Sequence, residues 1–355
     1  MHGRDAQVMN RVRAIIFFRG AASATSCAGW PTAYNRMSTT TNSNAFVDAA
    51  RSTAASGSVV YEGERAVHEY LQFHFGSPDE VLPHDCGPVD ALGFPKRCAS
   101  LCAEALVTTE TSPPPPLSSS PEREKDQLTG EGGEGQTPKA GRSNRRPLRA
   151  LDVGCAVGGI TFELTRAFDE VVGVDFSASF VEAAERMRVE GRTQYEYLDQ
   201  GSAVFRREAF LPEGTVPSRA SFSQGDACSL DVKALGSFDA VLASNLLCRL
   251  PKPRSFLGDL PALVKPGGVA VLISPYSWLK EYTPTSEWLG GFREGGDAGK
   301  QEGEYVDSFD RIRSIMEADD AFGLERRCSM PFLIREHARK FQWGCSDGTV
   351  WRRKL

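Results

Sequence analysis

The amino-acid sequence predicts an α/β fold with a doubly wound, mostly parallel sheet, and three features indicate it. A short apolar run over 151–153 ends in a glycine turn over 154–159, after which apolar residues recur at helical spacing. A second apolar run over 171–174 ends in Asp175, so strand, helix and strand together have the length of a parallel crossover. Later apolar runs alternate with helical segments, as a parallel sheet covered on both faces requires.

The glycine turn predicts a site for a nucleotide-like ligand, because glycines let the backbone approach a ligand closely. A dinucleotide fingerprint needs glycine where this chain has Ala156, and Asp152 in the turn would repel a phosphate. Asp175 is placed to accept hydrogen bonds from both hydroxyls of a ribose. Residues 152–158 resemble the corresponding turn of class I S-adenosylmethionine-dependent methyltransferases, whose ligand carries an amino group and a sulfonium. An NAD site and a purely structural turn are the alternatives.

Length and charge exclude several classes of function. The 355 residues are 41% hydrophobic, which is enough for a sizeable core in one or two domains. A net charge of −5 provides no basic footprint for nucleic acid or for an anionic membrane. The sequence has no apolar run long enough to cross a bilayer. We therefore expect a cytoplasmic protein without nucleic-acid or membrane partners, with organelle targeting through residues 1–40 as the alternative.

The cysteines and histidines predict no metal site. The chain has nine cysteines without a CxxC pair and five scattered histidines. The odd number of cysteines argues against a closed disulfide framework and suits a reducing compartment. Cys98 and Cys102 lie one helical turn apart beside Leu101, so we expect them to pack as small hydrophobic residues.

Composition divides the chain into four segments. Residues 1–57 are poor in acids and rich in Ser, Thr and Ala, which is typical of a disordered extension or a transit peptide; Met37 is an alternative start. Residues 58–107 predict an N-terminal helical segment. Residues 108–147 are rich in Pro, Ser, Gly and charge, which predicts a disordered insertion. Residues 148–355 hold the sheet.

The helical segment predicts one helix over 60–75, stopped by Gly-Ser-Pro, and another over 95–106. His74 lies on the apolar face of the first helix. This helix either packs as an accessory element or places His74 over the ligand cleft, as the N-terminal caps of class I methyltransferases often do.

The remaining elements follow the opening crossover. A capping box of Ser179 and Glu182 predicts a helix that ends near Gly191, and residues 192–219 are predicted to be irregular. We then predict a strand over 220–223, a strand over 238–243, a short or kinked helix over 251–264, a strand over 269–273, a helix over 308–318, and an antiparallel pair over 324–335 and 349–353.

Carboxyl ends of parallel strands are the ligand-binding edge of such sheets. Asp226 at the end of the third strand is placed to accept a hydrogen bond from the amine of adenine, while Ala227 supplies a backbone N–H; a plain turn acid is the alternative. The residues that we predict to bind S-adenosylmethionine are Asp152, Gly154, Cys155, Ala156, Gly158, Asp175, Phe176, Ser177, Asp226, Ala227 and Asn245.

Six short segments carry a narrower resemblance: 70–76, 151–158, 225–228, 274–278, 287–293 and 349–353. Together they resemble the methyltransferase domain of ovothiol-biosynthesis enzymes, the mercaptohistidine imidazole N-methyltransferases, across most of the chain from about position 61. The resemblance implies a seven-stranded class I methyltransferase (Rossmann-like) fold with an antiparallel terminal strand pair and an N-terminal helical cap. It also implies N-methylation of the imidazole of 4-mercaptohistidine as the last step of ovothiol synthesis.

Two departures from that family bear on partners. The 108–147 segment is not part of the usual domain. The iron-dependent sulfoxide synthase region that is often fused upstream has a His-x-x-x-His-x-Glu triad, which is absent from this sequence. The resemblance therefore implies a standalone methyltransferase that takes its small-molecule thiohistidine from a separate iron-dependent sulfoxide synthase.

Methyl transfer requires alignment, desolvation and, for some nucleophiles, removal of a proton. A thiolated imidazole in a zwitterionic form needs a proton acceptor, and the candidates for this catalytic role are His74, Tyr276 and Glu281. Packing or surface placement is the alternative for each.

A second set of residues is predicted to bind the substrate. A guanidinium best holds an amino-acid carboxylate, which favours Arg293 and Arg335. Tyr276, Trp278 and Trp288 are candidates to sandwich the ring, with core packing as the alternative. A class I methyltransferase for another small molecule and a non-catalytic S-adenosylmethionine-binding subunit also remain open.

Overall fold

The computed structural model describes residues 59–107, 146–295 and 303–355. The predicted extension over 1–57, with Met37, and nearly all of the predicted insertion over 108–147 lie outside these residues. The helices are α1 (Glu64–Phe75), α2 (Pro78–Val81), α3 (Phe94–Val107), α4 (Gly159–Leu164), α5 (Ala178–Glu190), α6 (Val232–Leu235), α7 (Pro253–Leu263) and α8 (Ser308–Met316). The strands are β1 (Arg149–Val153), β2 (Glu170–Asp175), β3 (Arg192–Gln200), β4 (Ala203–Phe210), β5 (Ala220–Gln224), β6 (Phe238–Ser244), β7 (Val264–Ser274), β8 (Phe292–Glu294), β9 (Glu304–Val306), β10 (Phe322–His337) and β11 (Lys340–Arg353).

A seven-stranded sheet with the order β10-β11-β7-β6-β1-β2-β5 forms the centre of the described chain. The five strands from β7 to β5 are parallel, whereas β11 pairs antiparallel with β7 and with β10. The predicted doubly wound fold with its antiparallel terminal pair is confirmed. The strand order reverses between β1 and β6, and this switch point is where such sheets bind ligands.

The central strands are buried because helices cover both faces of the sheet. On one face, Cys98 and Cys102 of α3 pack in a fully buried cluster with Leu242 and Val271. The prediction that these cysteines pack as small hydrophobic residues is confirmed. On the other face, Phe256 from α7 lies in a second cluster with residues of α8. Burial on both faces explains why the strand sequences are continuously apolar.

The N-terminal helices are integral to this core. Leu71 of α1 packs with Phe162 of α4 and Phe180 of α5 in a third cluster. The predicted helical cap is therefore confirmed. None of the helices in the described ranges is both long and apolar enough to span a bilayer.

Two local predictions are wrong. Residues 192–219 were expected to be irregular, but β3 and β4 form an antiparallel hairpin in this region. The hairpin is difficult to recognise because charged residues that pair across the strands, such as Glu196 with Arg206, interrupt its apolar pattern. Helix α5 is capped by Ser177, whose Oγ accepts from the Phe180 N–H at 3.1 Å, and not by Ser179.

Candidate functional site

A cavity of about 480 Å³ lies at the carboxyl ends of β1, β2, β5 and β6. This volume is within the usual range for small-molecule sites. The strand ends contribute Gly154, Asp175, Gly225 and Asn245, and α1 contributes part of the opposite wall. The cavity therefore occupies the edge of the sheet at which the strand order reverses.

The glycine turn is held tightly against β2. The N–H of Gly154 donates to the carbonyl of Val174 at 2.7 Å, and Gly154 has a φ of 77°. A Cβ at this position would lie 2.9 Å from the side chain of Leu246. Ala156 adopts a left-handed φ of 48°, which costs an alanine free energy, and its N–H donates to Asp175. The turn thus requires a glycine at position 154 and is stabilised at position 156 by the acid of the next strand.

Asp175 is the carboxylate that lines this part of the cavity. Its Oδ2 accepts from the Ala156 N–H at 2.8 Å, and its Oδ1 accepts from the Ser177 N–H at 2.9 Å. Burial raises the pKa of Asp175 to about 6, while these backbone hydrogen bonds act in the opposite direction. The two N–H groups fix the orientation of the carboxylate and leave lone pairs for the hydroxyls of a ligand.

Asp152 lies beneath the turn and does not line the cavity. Its Oδ2 accepts from Thr161 Oγ1 at 2.7 Å, and its buried Oδ1 has no partner among the described residues. Burial raises the pKa of Asp152 to about 7. Asp152, which the sequence analysis predicted to bind the ligand, therefore lies behind the cavity wall.

The other predicted cofactor residues divide into two groups. Gly158 and Cys155 lie outside the cavity; Gly158 is required because a Cβ would lie 2.7 Å from the Phe222 ring. Asp226 also lies outside, where its Oδ1 accepts from the Cys228 N–H at 2.8 Å, as the turn-acid alternative predicted. The predicted residues that line the cavity are Gly154, Ala156, Asp175, Phe176, Ser177, Ala227 and Asn245.

His74 lines the cavity, as one reading of α1 predicted. Its Nδ1 accepts from the Gly159 N–H at 3.0 Å, which assigns the proton of the neutral ring to Nε2. Burial lowers the pKa of His74 to about 3. These contacts contradict a role as proton acceptor, because one nitrogen is already engaged as an acceptor and the other carries a proton. His74 is instead a neutral hydrogen-bond donor on the cavity wall.

The other two candidate proton acceptors lie elsewhere. Tyr276 donates its hydroxyl to Asp347 Oδ2 at 2.9 Å, and burial beside this acid raises the pKa of the tyrosine. Glu281 is exposed on the loop after β7. Neither residue lines the cavity, so the structure does not bring the three candidates together.

The predicted aromatic sandwich is part of the core. Trp278 is 8% exposed and donates its Nε1–H to Ser308 Oγ at 2.9 Å. Trp288 donates to the carbonyl of Thr283 at 2.8 Å and packs against the core formed by α7 and α8. The core alternative describes both tryptophans, because neither lines the cavity.

Neither predicted carboxylate anchor reaches the cavity. Arg293 is exposed on β8 and donates to the carbonyl of Gly303 at 3.0 Å. Arg335 is 5% exposed and donates to the carbonyl of Glu80 at 2.7 Å. Both guanidinium groups hold the backbone in place outside the site.

The structure reveals site residues that the sequence analysis missed. Tyr61 and Glu62 precede α1, Tyr70 lies on α1, and Arg249 follows β6; all four line the cavity. The position of Arg249, a few residues beyond the carboxyl end of a parallel strand, was a signal that could have identified it. Tyr61 and Glu62 precede the periodic part of α1, so no comparable pattern marks them.

Similarity to known proteins agrees with this geometry. Residues 151–270 match a family described as "Methyltransferase domain". The ubiquinone biosynthesis O-methyltransferase of Bradyrhizobium sp. (strain ORS 278) is 30% identical over 125 residues, which are 35% of this chain and 39% of that protein. The protein of the same name from Xanthomonas axonopodis pv. citri (strain 306) is 26% identical over 120 residues, 34% of this chain and 40% of that protein. The match thus spans about two fifths of the length of these curated relatives.

Two solved structures are similar to this chain at low identity. Magnesium protoporphyrin IX methyltransferase from Synechocystis PCC 6803 with bound SAH is 17% identical with a TM-score of 0.39, covering 82% of this chain and 100% of that one. A SAM-dependent methyltransferase from Methanosarcina mazei is 19% identical with a TM-score of 0.39, covering 59% of this chain and 94% of that one. The region 151–270 is thus similar in sequence to a methyltransferase domain.

Proposed function

We propose that this chain is an S-adenosylmethionine-dependent N-methyltransferase that methylates the imidazole of a thiohistidine, 4-mercaptohistidine. The observation that carries the methyltransferase part is the oriented Asp175 carboxylate, which lines the cavity beside the glycine turn. The substrate part rests on the resemblance of six segments to the ovothiol-biosynthesis family. The reaction would be the last step of ovothiol synthesis, with the thiohistidine supplied by a separate iron-dependent sulfoxide synthase.

The residues that line the cavity fit the proposed cofactor. Asp175 would accept hydrogen bonds from the ribose hydroxyls, while Phe176 and Ala227 would contact the adenine. Glu62 and Asp175 are the acids that line the cavity, and they favour a cationic sulfonium over a pyrophosphate. When bound, S-adenosylmethionine supplies an electrophilic methyl group.

The chain itself contributes alignment and exclusion of water. Phe73, Phe94 and Ile334 give the cavity an apolar wall that suits a flat ring. An imidazole has a reference pKa of about 6.5, so a large fraction of the ring is neutral and nucleophilic near pH 7. The donor Nε2–H of His74 can orient such a substrate without accepting its proton. Alignment in a dry cavity is therefore the main contribution that these residues can make to catalysis.

A second candidate function is O-methylation of a phenol or a quinol. It is favoured by the name of the two curated relatives and by the same apolar wall. A third, an S-adenosylmethionine-binding subunit without catalysis, predicts cofactor binding alone.

The test is incubation of the purified protein with S-adenosylmethionine and a panel of 4-mercaptohistidine, histidine and catechols, followed by mass spectrometry. We expect one methyl group to be added to the imidazole of 4-mercaptohistidine, and less product at limiting S-adenosylmethionine when Asp175→Ala replaces the wild type. Methylation of catechols alone would transfer the assignment to the O-methyltransferase. Calorimetric binding of the cofactor without turnover of any compound would favour the binding subunit.

A further inference from the structure

Acidic side chains outnumber cationic side chains among the described residues that line the cavity. Glu62 and Asp175 are the acids that line it, and His74 is neutral because burial lowers its pKa to about 3. Arg249 is the one guanidinium or ammonium group among the described lining residues. An anionic group that enters this cavity therefore has a single cationic side chain to meet.

One edge of the Arg249 guanidinium is fixed by the protein. Nη1 donates to the carbonyl of Cys248 at 3.2 Å and to the carbonyl of Ser277 at 3.1 Å. The guanidinium carbon also lies 4.6 Å from the centre of the Tyr282 ring, in a cation–π contact. These contacts hold the side chain in one orientation before any ligand arrives, so that little rotamer entropy remains to be lost on binding.

The other edge has fewer partners in the protein. Nε lies 3.3 Å from the Tyr61 hydroxyl, which is long for a hydrogen bond of this type, and Nη2 makes no hydrogen bond to any residue that the structure describes. Nε–H and Nη2–H point in parallel from the same edge of the guanidinium plane, and this fork matches the two oxygens of a carboxylate. A carboxylate would replace the weak contact with Tyr61 and add a second hydrogen bond.

We infer that Arg249 binds the α-carboxylate of an amino acid in this cavity. Two ligands of the proposed reaction carry this group, namely the thiohistidine substrate and the methionine part of the cofactor. The inference rests on the proposed function for the identity of these two ligands, and the geometry of Arg249 identifies the shared chemistry. If the carboxylate is that of the substrate, Arg249 has the role that the sequence analysis assigned to Arg293 and Arg335.

The experiment compares each ligand with a matched compound that lacks the carboxylate. The first pair, measured by calorimetry, is S-adenosylhomocysteine and methylthioadenosine, which keeps the adenosyl thioether but has no amino-acid part. The second pair, measured by turnover, is 4-mercaptohistidine and its decarboxylated amine. Each pair is measured with the wild type, Arg249→Gln, Arg249→Lys and Arg254→Gln, an exposed arginine of α7 outside the cavity.

We expect Arg249→Gln to weaken the carboxylate-bearing member of one pair by about 10- to 100-fold and its matched compound by less than about threefold. Arg249→Lys should retain part of the affinity, because it keeps the charge but loses the fork. Arg254→Gln should bind the first pair of compounds and turn over the second pair as the wild type does. Unchanged binding of methylthioadenosine shows that the cavity of Arg249→Gln is still folded.

The two pairs of compounds distinguish a carboxylate of the cofactor from a carboxylate of the substrate. They also test the role of Arg249 separately from the proposed function. A loss confined to the first pair assigns Arg249 to the cofactor, and a loss confined to the second assigns it to the substrate. Equal effects of Arg249→Gln on both members of both pairs would overturn the inference. If the wild type methylates no thiohistidine, the proposed function fails, while the calorimetric pair still decides whether Arg249 binds a carboxylate.

Discussion

The two sides of the cavity differ in how far apart in the sequence their contacting residues lie. On the side of β1 and β2, Asp175 binds the backbone of Ala156, 19 positions away, and of Ser177, two positions away. On the side of α1, His74 binds Gly159 across 85 positions, and Tyr61 contacts Arg249 across 188 positions. The first side is a product of one crossover, whereas the second requires remote segments to pack together.

Because of this difference, we expect substitutions on the two sides to affect cofactor affinity and the stability of the fold differently. Substitutions on the crossover side should change cofactor affinity with little effect on the packing of α1. Substitutions at the contacts of α1 should change stability as well, because the same side chains form the wall and hold the helix on the sheet.

The largest effect is expected on the crossover side. Asp175→Ala should raise the Kd for S-adenosylmethionine by about tenfold or more, because the ribose hydroxyls lose their acceptor and the turn loses its hydrogen bond at Ala156. Calorimetry measures this change. The matched control is Asp226→Ala, since this turn acid lies outside the cavity and should change the Kd by less than about threefold. A larger effect at Asp226 than at Asp175 would reverse the assignment of the two acids.

At the contact between α4 and α1, Gly159→Ala should destabilise the fold by about 1–3 kcal/mol. Its Cβ would lie 2.6 Å from the ring of His74, so the histidine or α1 must move. Chemical denaturation measures the loss, and His74→Ala supplies the second arm of a double-mutant cycle. The two changes should be partly less than additive, because removal of the ring relieves the contacts with Nδ1 and Cγ, while the Cβ of residue 74, also 2.6 Å from the new methyl group, remains. Strict additivity would show that the close approach of these two residues has no energetic consequence.

Asp152→Asn tests the buried acid through the pH dependence of stability. The pKa of Asp152 in the folded chain is about 7, above the unfolded value of about 3.9, so the folded state holds its proton more tightly. The stability that this gives is fully present below about pH 4 and is lost as the pH rises through about 7. The wild type should therefore lose stability over this range relative to the variant, which stays neutral.

Without cofactor, the Tm of Asp152→Asn minus the Tm of the wild type should increase by about 5 °C as the pH rises from 5 to 8. Burial is the main cause of the raised pKa of Asp152, and the charge of Asp175 also raises it, so the difference in Tm includes the loss of this coupling. The pKa of His74 in the folded chain is about 3 in both proteins. A difference in Tm that does not change with pH would show that Asp152 ionises as an exposed acid does.

The smallest effect is expected on the loop beyond β7. Arg293→Ala should change the KM for the amino-acid substrate and the Kd for the cofactor by less than about twofold, since Arg293 is exposed and outside the cavity. Steady-state kinetics and calorimetry measure the two constants. A marked rise in KM alone would mean that this loop closes over the substrate during turnover, and it would restore the role that the sequence analysis assigned to this arginine.

The cofactor side of the cavity was predictable from the sequence to a larger extent than the substrate side. Asp175 and Ala227 follow the carboxyl ends of strands whose apolar runs are visible in the sequence, and both line the cavity. Asp152 and Asp226 have the same kind of position but do not line it. Whether an acid at a strand end faces the ligand or the protein depends on hydrogen bonds, such as the one from Thr161 to Asp152, that no spacing rule specifies.

The predicted substrate residues failed for a related reason. Trp278 and Trp288 are aromatic residues in a long loop, which is compatible with a ligand clamp or with a core. Their indole N–H groups bind Ser308 and Thr283, and they fill the core that α8 covers. The motif strings that contain them therefore stabilise the fold, while the residues that line the cavity opposite the turn come from α1 and from the loop after β6.

By itself, the sequence determined the five parallel strands of the sheet, the crossover with its glycine turn and the acid that ends β2. These features arise from hydrophobic periodicity and from backbone geometry over short spans, which a linear pattern records. Only the tertiary structure decided that His74 is a neutral donor, that the tryptophans belong to the core and that Arg249 is the guanidinium of the cavity. Burial and hydrogen-bond partners set these properties, and both depend on segments that are far apart in the chain.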